Sequence, residues 1–381
     1  MKNAFGKRAA AGLFLGMILV FLCPGMETEA AVDFQSMEID HSMELQYADQ
    51  FSVDYYEGGY ALITISDGSR FLVVPEGQET PENVEEDIEI LNQPMENLYV
   101  AATASMDYFA ALDCMDAVTL SGTDTDNWYV DAAREAMEQG EVVYAGKYNA
   151  PDYELILSKG CELAVESTMI YHNPEVKEML NGFGIPVLVD YSSYENHPLG
   201  RVEWVKLYSV LLGKEDEAEK LFADWAKEVE EVQSDESTGK TVAFFYITAS
   251  GYANVRKSND YVAKMIELAG GEYIFHDLDV ENDNALSTMN MQMEEFYAKA
   301  KDADYIIYNS TIDGELHSLD ELLGKSELLE DFKAVQEGNV WCLSKSMFQE
   351  TTSLGKVIVD IHTILTEDNP DETLNFLYKL K

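Results

Sequence analysis

The chain has 381 residues, and its 25 Lys and Arg against 71 Asp and Glu give a formal net charge of −46. Hydrophobic residues make up 46% of the chain, with 22 Tyr and 16 Phe, so the composition is globular and excludes an acidic disordered tail. The charge excludes non-specific binding to nucleic acid, which requires Lys and Arg to neutralise phosphates, and an anionic membrane surface would repel the chain. This length predicts two domains.

The first thirty residues are typical of an export signal. Basic residues precede an uncharged apolar run over residues 9–22, and residues 28–30 end in a small side chain, as at a cleavage site. The run is shorter than the about 20 apolar residues that a membrane span requires. We therefore predict export, with residues 1–30 removed as a signal peptide. The alternative is a lipid anchor on Cys23, as in bacterial lipoproteins, although Leu22 is larger than the residue that normally precedes such a cysteine.

Residues 43–75 are predicted to form strands after this leader. The strongest signal is a β-hairpin, in which residues 60–66 and 69–74 are rich in apolar and β-branched side chains. Asp67-Gly68 between them is typical of a two-residue hairpin turn. We predict an N-terminal hairpin extension of the first domain.

From residue 97 onward, short apolar runs alternate with helical patterns, which predicts a parallel α/β arrangement. Residues 199–234 differ, because apolar side chains recur there at helical spacing with no strand between them. A second α/β run follows and ends in two predicted helices, near 354–366 and 371–379. The predicted domains are an N-terminal lobe over 31–198 that includes the extension 43–75, a linking helix region over 199–239, and a C-terminal lobe over 240–381.

The sequence contains no motif that predicts catalysis or a metal site. No two of its six histidines lie closer than 25 residues, and the His-Glu-x-x-His, Gly-x-Ser-x-Gly and glycine-rich phosphate-loop motifs are absent. Asp277, Asp279 and Glu281 have a loose calcium-loop spacing, but Asn282 stands where such a loop needs Gly. We predict a non-enzymatic protein with no metal site and no cofactor of its own.

Aromatic side chains near the ends of the predicted strands are candidates for lining a cleft between the lobes, where small ligands bind. Each one alone is better explained as a core residue, but together they suit a flat, partly apolar ligand. The candidates are Tyr108, Trp128, Tyr171, Tyr194, Tyr246, Tyr252 and Trp341.

Short segments in a fixed order over residues 95–367 carry a family resemblance. They are Tyr153-Glu-Leu-Ile-Leu with Glu162-Leu-Ala-Val, Gly184-Ile-Pro-Val-Leu-Val, Leu211-Leu-Gly-Lys-Glu-Asp-Glu-Ala218, Leu268-Ala-Gly-Gly271 and Gly338-Asn-Val-Trp341. With them the chain resembles the substrate-binding proteins of ABC importers for ferric siderophores, haem and cobalamin. The resemblance implies the class III periplasmic-binding-protein fold: α/β, with two Rossmann-like lobes joined by a long rigid linking helix. The hairpin region lies outside the family pattern.

The resemblance also implies roles for individual residues. Glu154 and Glu294 match the glutamates by which each lobe of such a protein docks on a dimeric permease, and two exposed carboxylates at a fixed distance can set that register. Apart from the resemblance, Arg201 at the start of the linking helix and Arg256 after a predicted strand of the C-terminal lobe could clamp an anionic ligand, or each could pair with a surface acid. A ligand's iron or cobalt could be bound by His172, His197 or a tyrosine.

The predicted function is therefore capture of a ferric siderophore, haem or cobalamin between the lobes, and delivery to the permease dimer of an ABC importer. The expected partners are that permease and a small metal complex or tetrapyrrole, with no nucleic acid. Two alternatives remain open. One is a zinc or manganese receptor of similar two-lobed shape, and the other is an extracellular enzyme or sensor domain on the same lobes.

Overall fold

Three large β-sheets organise the chain, and the computed structural model describes them over residues 32–233, 237–278 and 288–381. The first sheet is N-terminal, and the other two are the centres of the two lobes. The predicted signal peptide and Cys23 lie outside the described residues. Within the described ranges, no helix has the length and apolar character to cross a membrane.

The N-terminal sheet is larger than the predicted hairpin and has five strands in chain order. They are β1 (Ile39–Ser42), β2 (Phe51–Tyr56), β3 (Ala61–Ile65), β4 (Arg70–Val74) and β5 (Ile88–Asn92). The hairpin itself is confirmed, since β3 and β4 are antiparallel neighbours around the Asp67-Gly68 turn, and Gly68 takes the positive φ of 87° that such a turn requires. Strand β5 then adds in parallel to β4, so the extension spans residues 39–92.

The N-terminal lobe is built on a five-stranded sheet that is parallel throughout, as the alternating pattern predicts. Its strands are β6 (Leu98–Val100), β7 (Val118–Ser121), β8 (Val143–Tyr144), β11 (Ala164–Ser167) and β12 (Val187–Asp190), with the short β9 (Gly146–Lys147) and β10 (Ala150–Pro151) paired separately. Its helices are α1 (Met106–Ala111), α2 (Asp131–Gln139), α3 (Tyr153–Ser158) and α4 (Pro174–Gly182). The spatial order β12-β11-β6-β7-β8 places the first strand in the centre, with the switch of direction between β6 and β11.

The linking region is helical, as predicted, but it is not one continuous helix. It comprises α5 (Pro198–Glu203), α6 (Val205–Leu212) and α7 (Glu215–Val232). Gly213 ends α6 in the left-handed conformation, with φ 66°, because a residue without Cβ adopts it at no steric cost. The longest piece, α7, has 18 residues and is therefore about 27 Å long. It packs against the last helix of the C-terminal lobe.

The C-terminal lobe has a mixed sheet with a parallel centre. Its strands are β13 (Thr241–Ile247), β14 (Ala253–Arg256), β15 (Glu272–Tyr273), β16 (Thr288–Met291), β17 (Tyr305–Asn309), β18 (Val340–Leu343) and β19 (Leu377–Lys379). Their order is β16-β14-β13-β17-β18-β19, and β15 also pairs with β13. The helices are α8 (Tyr261–Leu268), α9 (Met293–Ala300), α10 (Ser310–Asp313), α11 (Leu319–Leu323), α12 (Lys333–Glu337) and α13 (Leu354–Thr366).

The predicted helix over residues 371–379 is wrong, because this segment ends in strand β19, antiparallel to β18. A buried carboxylate explains the difference. Asp360 of α13 accepts hydrogen bonds from the Phe376 N–H at 2.5 Å and the Leu377 N–H at 3.1 Å, which fixes the segment in an extended conformation. This long-range contact overrides the local helical pattern.

Two buried carboxylates attach the N-terminal sheet to the linking helices. Glu203 accepts the N–H of Tyr47 at 2.8 Å, and Glu195 accepts the N–H of Asp49 at 3.0 Å and the Trp204 indole N–H at 2.8 Å. Both carboxylates are almost fully buried, so these donors supply the partners that a buried charge requires. The five-stranded extension is therefore continuous with the lobes.

Candidate functional site

A cavity of about 370 Å³ lies between the two lobes. Its walls come from loops that follow strands β6, β7, β8 and β11 of the N-terminal lobe and β18 of the C-terminal lobe. The lining residues are Ala101, Thr103, Gly122, Thr123, Asp124, Asn127, Tyr129, Lys147, Tyr148, Ser167, Met169, Lys345, Phe348 and Gln349.

The topology of the N-terminal sheet explains why the cavity forms here. In open α/β sheets, ligands bind outside the carboxyl ends of the strands, at the point where the strand order reverses. That point lies between β6 and β11, and both Ala101 and Ser167 line the cavity. Gly122 follows the neighbouring strand, and a Cβ there would lie 2.7 Å from the Ala101 Cα, so the two loops approach this closely only with glycine at this position.

Gln349 closes the cavity by joining the lobes. Its Oε1 accepts the Tyr129 N–H at 2.7 Å, and its Nε2 donates to the Asn127 carbonyl at 2.9 Å. The side chain is 1% exposed, so both hydrogen bonds are shielded from water. The lobes are therefore held together at this edge of the cavity by specific side-chain contacts.

A second inter-lobe contact lies beside the first. The Asp107 carboxylate of α1 accepts both the backbone N–H and the hydroxyl of Thr352, each at 2.7 Å. Burial raises the pKa of Asp107 to about 6, and the two hydrogen bonds from Thr352 oppose that rise.

The charge of the cavity is opposite in sign to that of the chain. Its charged lining residues are Lys147, Lys345 and Asp124, which give a formal +1 against −46 for the whole protein. Asp124 accepts a hydrogen bond from the Asn127 amide at 2.5 Å. Within the described ranges, neither lysine ammonium has a carboxylate within 4.0 Å.

The apolar part of the lining consists of rings and one thioether. Tyr129 and Phe348 face each other across the lobes edge to face, with centroids 6.2 Å apart. Tyr129 is 38% exposed and Met169 is 46% exposed, so both present apolar surface that a ligand could cover. Tyr148 adds a second phenol.

None of the ten ligand-binding residues predicted from the sequence lines this cavity. Three of them are core residues, which agrees with the alternative explanation given for each aromatic residue taken alone. Tyr108 and Trp341 are at most 1% exposed, and Trp128 is 2% exposed. Trp128 directs its indole N–H to Ser121 and Thr123, and the next residue, Tyr129, lines the cavity instead.

The two predicted arginines already have partners inside the protein. Arg256 pairs with Asp260 at 3.4 Å, the acid-pairing alternative. Arg201 is buried with its guanidinium over the Tyr261 ring, 5.0 Å from the centroid, and among the described residues its Nε has no hydrogen-bond partner. Neither arginine is placed to clamp a ligand in the cavity.

The remaining candidates have structural contacts or lie away from the cavity lining. His197 accepts the Leu199 N–H at 3.1 Å and so caps helix α5, and burial lowers its pKa to about 4. The Tyr171 hydroxyl donates to Asp67 of the N-terminal hairpin at 2.7 Å. The others are exposed or half-buried: His172, Tyr194, Tyr246 and Tyr252.

The two predicted docking glutamates occupy equivalent positions in the two lobes. Glu154 is the second residue of α3, which leads into β11 beside the first strand of its lobe. Glu294 is the second residue of α9, which leads into β17 beside β13. Both side chains are exposed. Each lobe therefore presents an exposed glutamate in the first turn of a matching helix, and in α9 the adjacent Glu295 is exposed as well.

A metal site has no support in the described parts of the chain, which contain no group of three or more His, Cys, Asp or Glu that could hold an ion. Of the loose calcium-loop pattern, Asp279, Glu281 and Asn282 lie outside the described residues.

Comparison with known proteins agrees with this architecture. A family model described as periplasmic binding protein matches residues 100–346, which is more than half of the chain. An uncharacterised lipoprotein of Methanocaldococcus jannaschii is 27% identical over 350 residues, covering 85% of this chain and 80% of the relative.

Two solved structures from Vibrio cholerae share the fold. A periplasmic haem-binding protein has a TM-score of 0.58 at 16% identity and covers 71% of this chain and 99% of its own. A periplasmic vitamin B12-binding protein has a TM-score of 0.51 at 15% identity, and the match covers 71% of this chain and 97% of that protein. The predicted α/β fold of class III and the family resemblance are both confirmed. This chain belongs to the periplasmic binding protein family.

Proposed function

We propose that this protein is the extracytoplasmic solute-binding component of an ABC importer and that it captures an iron complex such as a ferric siderophore, haem or cobalamin between its lobes. The observation that carries this proposal is the position of the cavity. It lies at the carboxyl ends of strands from both lobes, where a ligand contacts both at once. Family membership supports a binding role and not a catalytic one.

The cavity lining supports a flat, metal-containing cargo. Tyr129 and Phe348 offer ring surfaces from opposite lobes, and aromatic rings stack on extended π systems. Phenol oxygen and thioether sulfur both occur as ligands of haem iron, and Tyr129, Tyr148 and Met169 supply these groups. At about 370 Å³ the cavity is at the lower end of the usual range for ligand sites, so a larger cargo requires the lobes to separate.

Delivery to a permease dimer is supported by the matching positions of Glu154 and Glu294. Charge reversal of both to Arg is expected to abolish stimulation of the importer's ATPase in proteoliposomes, with cargo affinity unchanged. Glu138→Arg, at another exposed glutamate on helix α2, is the matched control. Full stimulation by the double variant would contradict this docking role.

Export of the protein is supported by the leader sequence and by the lipoprotein relative. The relative favours a lipid anchor on Cys23 over release of residues 1–30. Intact mass spectrometry of the mature protein distinguishes the two. A chain that begins at a lipid-modified Cys23 establishes the anchor, and a chain that begins at Ala31 excludes it.

Thermal unfolding of the purified mature protein with haem, cobalamin and ferric siderophores tests the cargo. A ligand at a hundred times its Kd adds about 2.7 kcal/mol to the free energy of unfolding. Stabilisation by one class identifies the cargo. No stabilisation by any of them, with stabilisation by Zn²⁺ or Mn²⁺ instead, would support the metal-receptor alternative, and substrate turnover would support the enzyme alternative.

A further inference from the structure

We propose that the cargo carries a carboxylate and that this group is held between Lys147 of the N-terminal lobe and Lys345 of the C-terminal lobe. This inference rests on the proposed function and narrows its cargo class. It favours carboxylate-bearing tetrapyrroles and carboxylate siderophores over cargo that is uncharged at the site.

The first step is the position of the two lysines. Lys147 follows strand β8 in the short β9 segment, and Lys345 begins the turn after β18, so they approach the cavity from different lobes. Lys147 is exposed and Lys345 is half-buried. A single anion that contacts both therefore joins the lobes in the same way as the Gln349 hydrogen bonds.

The second step is that both ammonium groups are available. Across the described ranges neither has an ion pair, although acids outnumber bases almost three to one in the chain. One carboxylate of the cavity lining and one that contacts the backbone of Lys345 accept hydrogen bonds from other groups. Asp124 accepts from Asn127, and Glu315 accepts the backbone N–H of Lys345 at 2.8 Å.

The third step is electrostatic. Lys147 and Lys345 line one cavity of about 370 Å³ and give its lining a net positive charge, which favours the charged form of a carboxylate placed between them. The strong negative charge of the rest of the protein acts on the cargo mainly at long range, where salt screens it beyond about 8 Å. Within the cavity the nearby lysines dominate, since Asp124 is its only acidic lining residue in the described structure.

The test compares ligands that carry this charge with ligands that lack it. Fluorescence quenching of the full mature protein measures the Kd of each ligand. Haemin, which has two propionates, is compared with its dimethyl ester, and ferric citrate is compared with a neutral ferric trihydroxamate. We expect the carboxylate form to bind about tenfold to a hundredfold more tightly, as for a charged hydrogen bond. Lys147→Met and Lys345→Met should each remove most of that preference.

Lys159→Met is the matched control, because Lys159 is an exposed lysine of the same lobe that does not line the cavity. Equal affinity for the acid and the ester, or lysine variants that bind the acid like the wild type, would overturn the inference. Tight binding of cobalamin unaffected by either variant would overturn it and leave the proposed function intact. If no member of the panel binds, both are overturned.

Discussion

Replacing Glu203 by Gln is expected to loosen the N-terminal sheet from the lobes. The buried carboxylate accepts the N–H groups of Gln46, Tyr47 and Ala48, and the Lys206 ammonium lies 3.2 Å from it. Gln keeps the shape of Glu and removes the charge. A hydrogen bond to a charged group contributes about 1.5–3 kcal/mol and a neutral one about 0.5–1.5. Three weakened bonds therefore lower the free energy of unfolding by about 3 kcal/mol.

Urea denaturation measures this loss, and hydrogen exchange over residues 39–92 shows where it acts. Glu219→Gln is the control, since Glu219 also contacts Lys206, at 2.8 Å, but is 62% exposed. An exposed ion pair contributes about 0–1 kcal/mol. If the two variants have the same urea midpoint, and residues 39–92 are equally protected from hydrogen exchange in both, Glu203 does not hold the N-terminal sheet in place.

Three further predictions concern the buried Glu166, the contact of Gln349 between the lobes, and Gly122 in the cavity lining. Burial raises the pKa of Glu166 to about 8, and its carboxylate oxygens have no hydrogen-bond partner in the part of the chain that the structure describes. The folded state therefore binds a proton that the unfolded state has lost, and the free energy of unfolding falls by up to about 5 kcal/mol as pH rises from 4.5 towards 8. In urea denaturation at several pH values, Glu166→Gln should lose this dependence. A fall as steep as in the wild type would show that Glu166 is not the titrating group. Gln349→Ala removes two inter-lobe hydrogen bonds of about 1 kcal/mol each and should increase the radius of gyration in small-angle scattering, unlike Gln336→Ala at an exposed site. Scattering curves identical to that of the wild type would show that Gln349 does not hold the lobes. Gly122→Ala places a Cβ 2.7 Å from the Ala101 Cα and should weaken cargo binding in a titration. Gly182→Ala, whose Cβ would have no atom within 4 Å, should bind cargo like the wild type. Equal cargo affinities of the two variants would refute the argument that the cavity loops require glycine at position 122.

Local patterns predicted those parts of the fold that depend on neighbouring residues. The Asp67-Gly68 turn specified its hairpin, and the alternation of apolar runs with helical patterns specified the parallel sheets. The break at Gly213 was not predicted, because a single glycine is also tolerated inside a continuous helix. Strand β19 was missed because its conformation depends on Asp360, a residue distant in the sequence.

The site was harder to predict, because it depends on which loops the strand order brings together. Aromatic residues chosen near strand ends were often inside the elements, as Trp341 and Tyr108 are, and such side chains face the core. The residues that line the cavity lie in the segments that follow the strands, as Lys147 and Lys345 do soon after β8 and β18 and Tyr129 does further along the chain after β7. A basic residue soon after a strand was the available signal, but the same signal also selects Arg256, which pairs with Asp260 inside the protein.

The position of strand β19 also determines the order in which this chain can fold. Domains generally fold as units during synthesis, the N-terminal ones first, and the last few residues of most domains are poorly ordered unless they are held by a sheet or helix contact. Here β19 completes one edge of the C-terminal sheet, and the carbonyl of Lys381 accepts the Leu319 N–H at 2.9 Å. The second lobe therefore reaches its native pairing only after β19 has been synthesised, and a chain that lacks β19 leaves β18 as an open edge prone to aggregation.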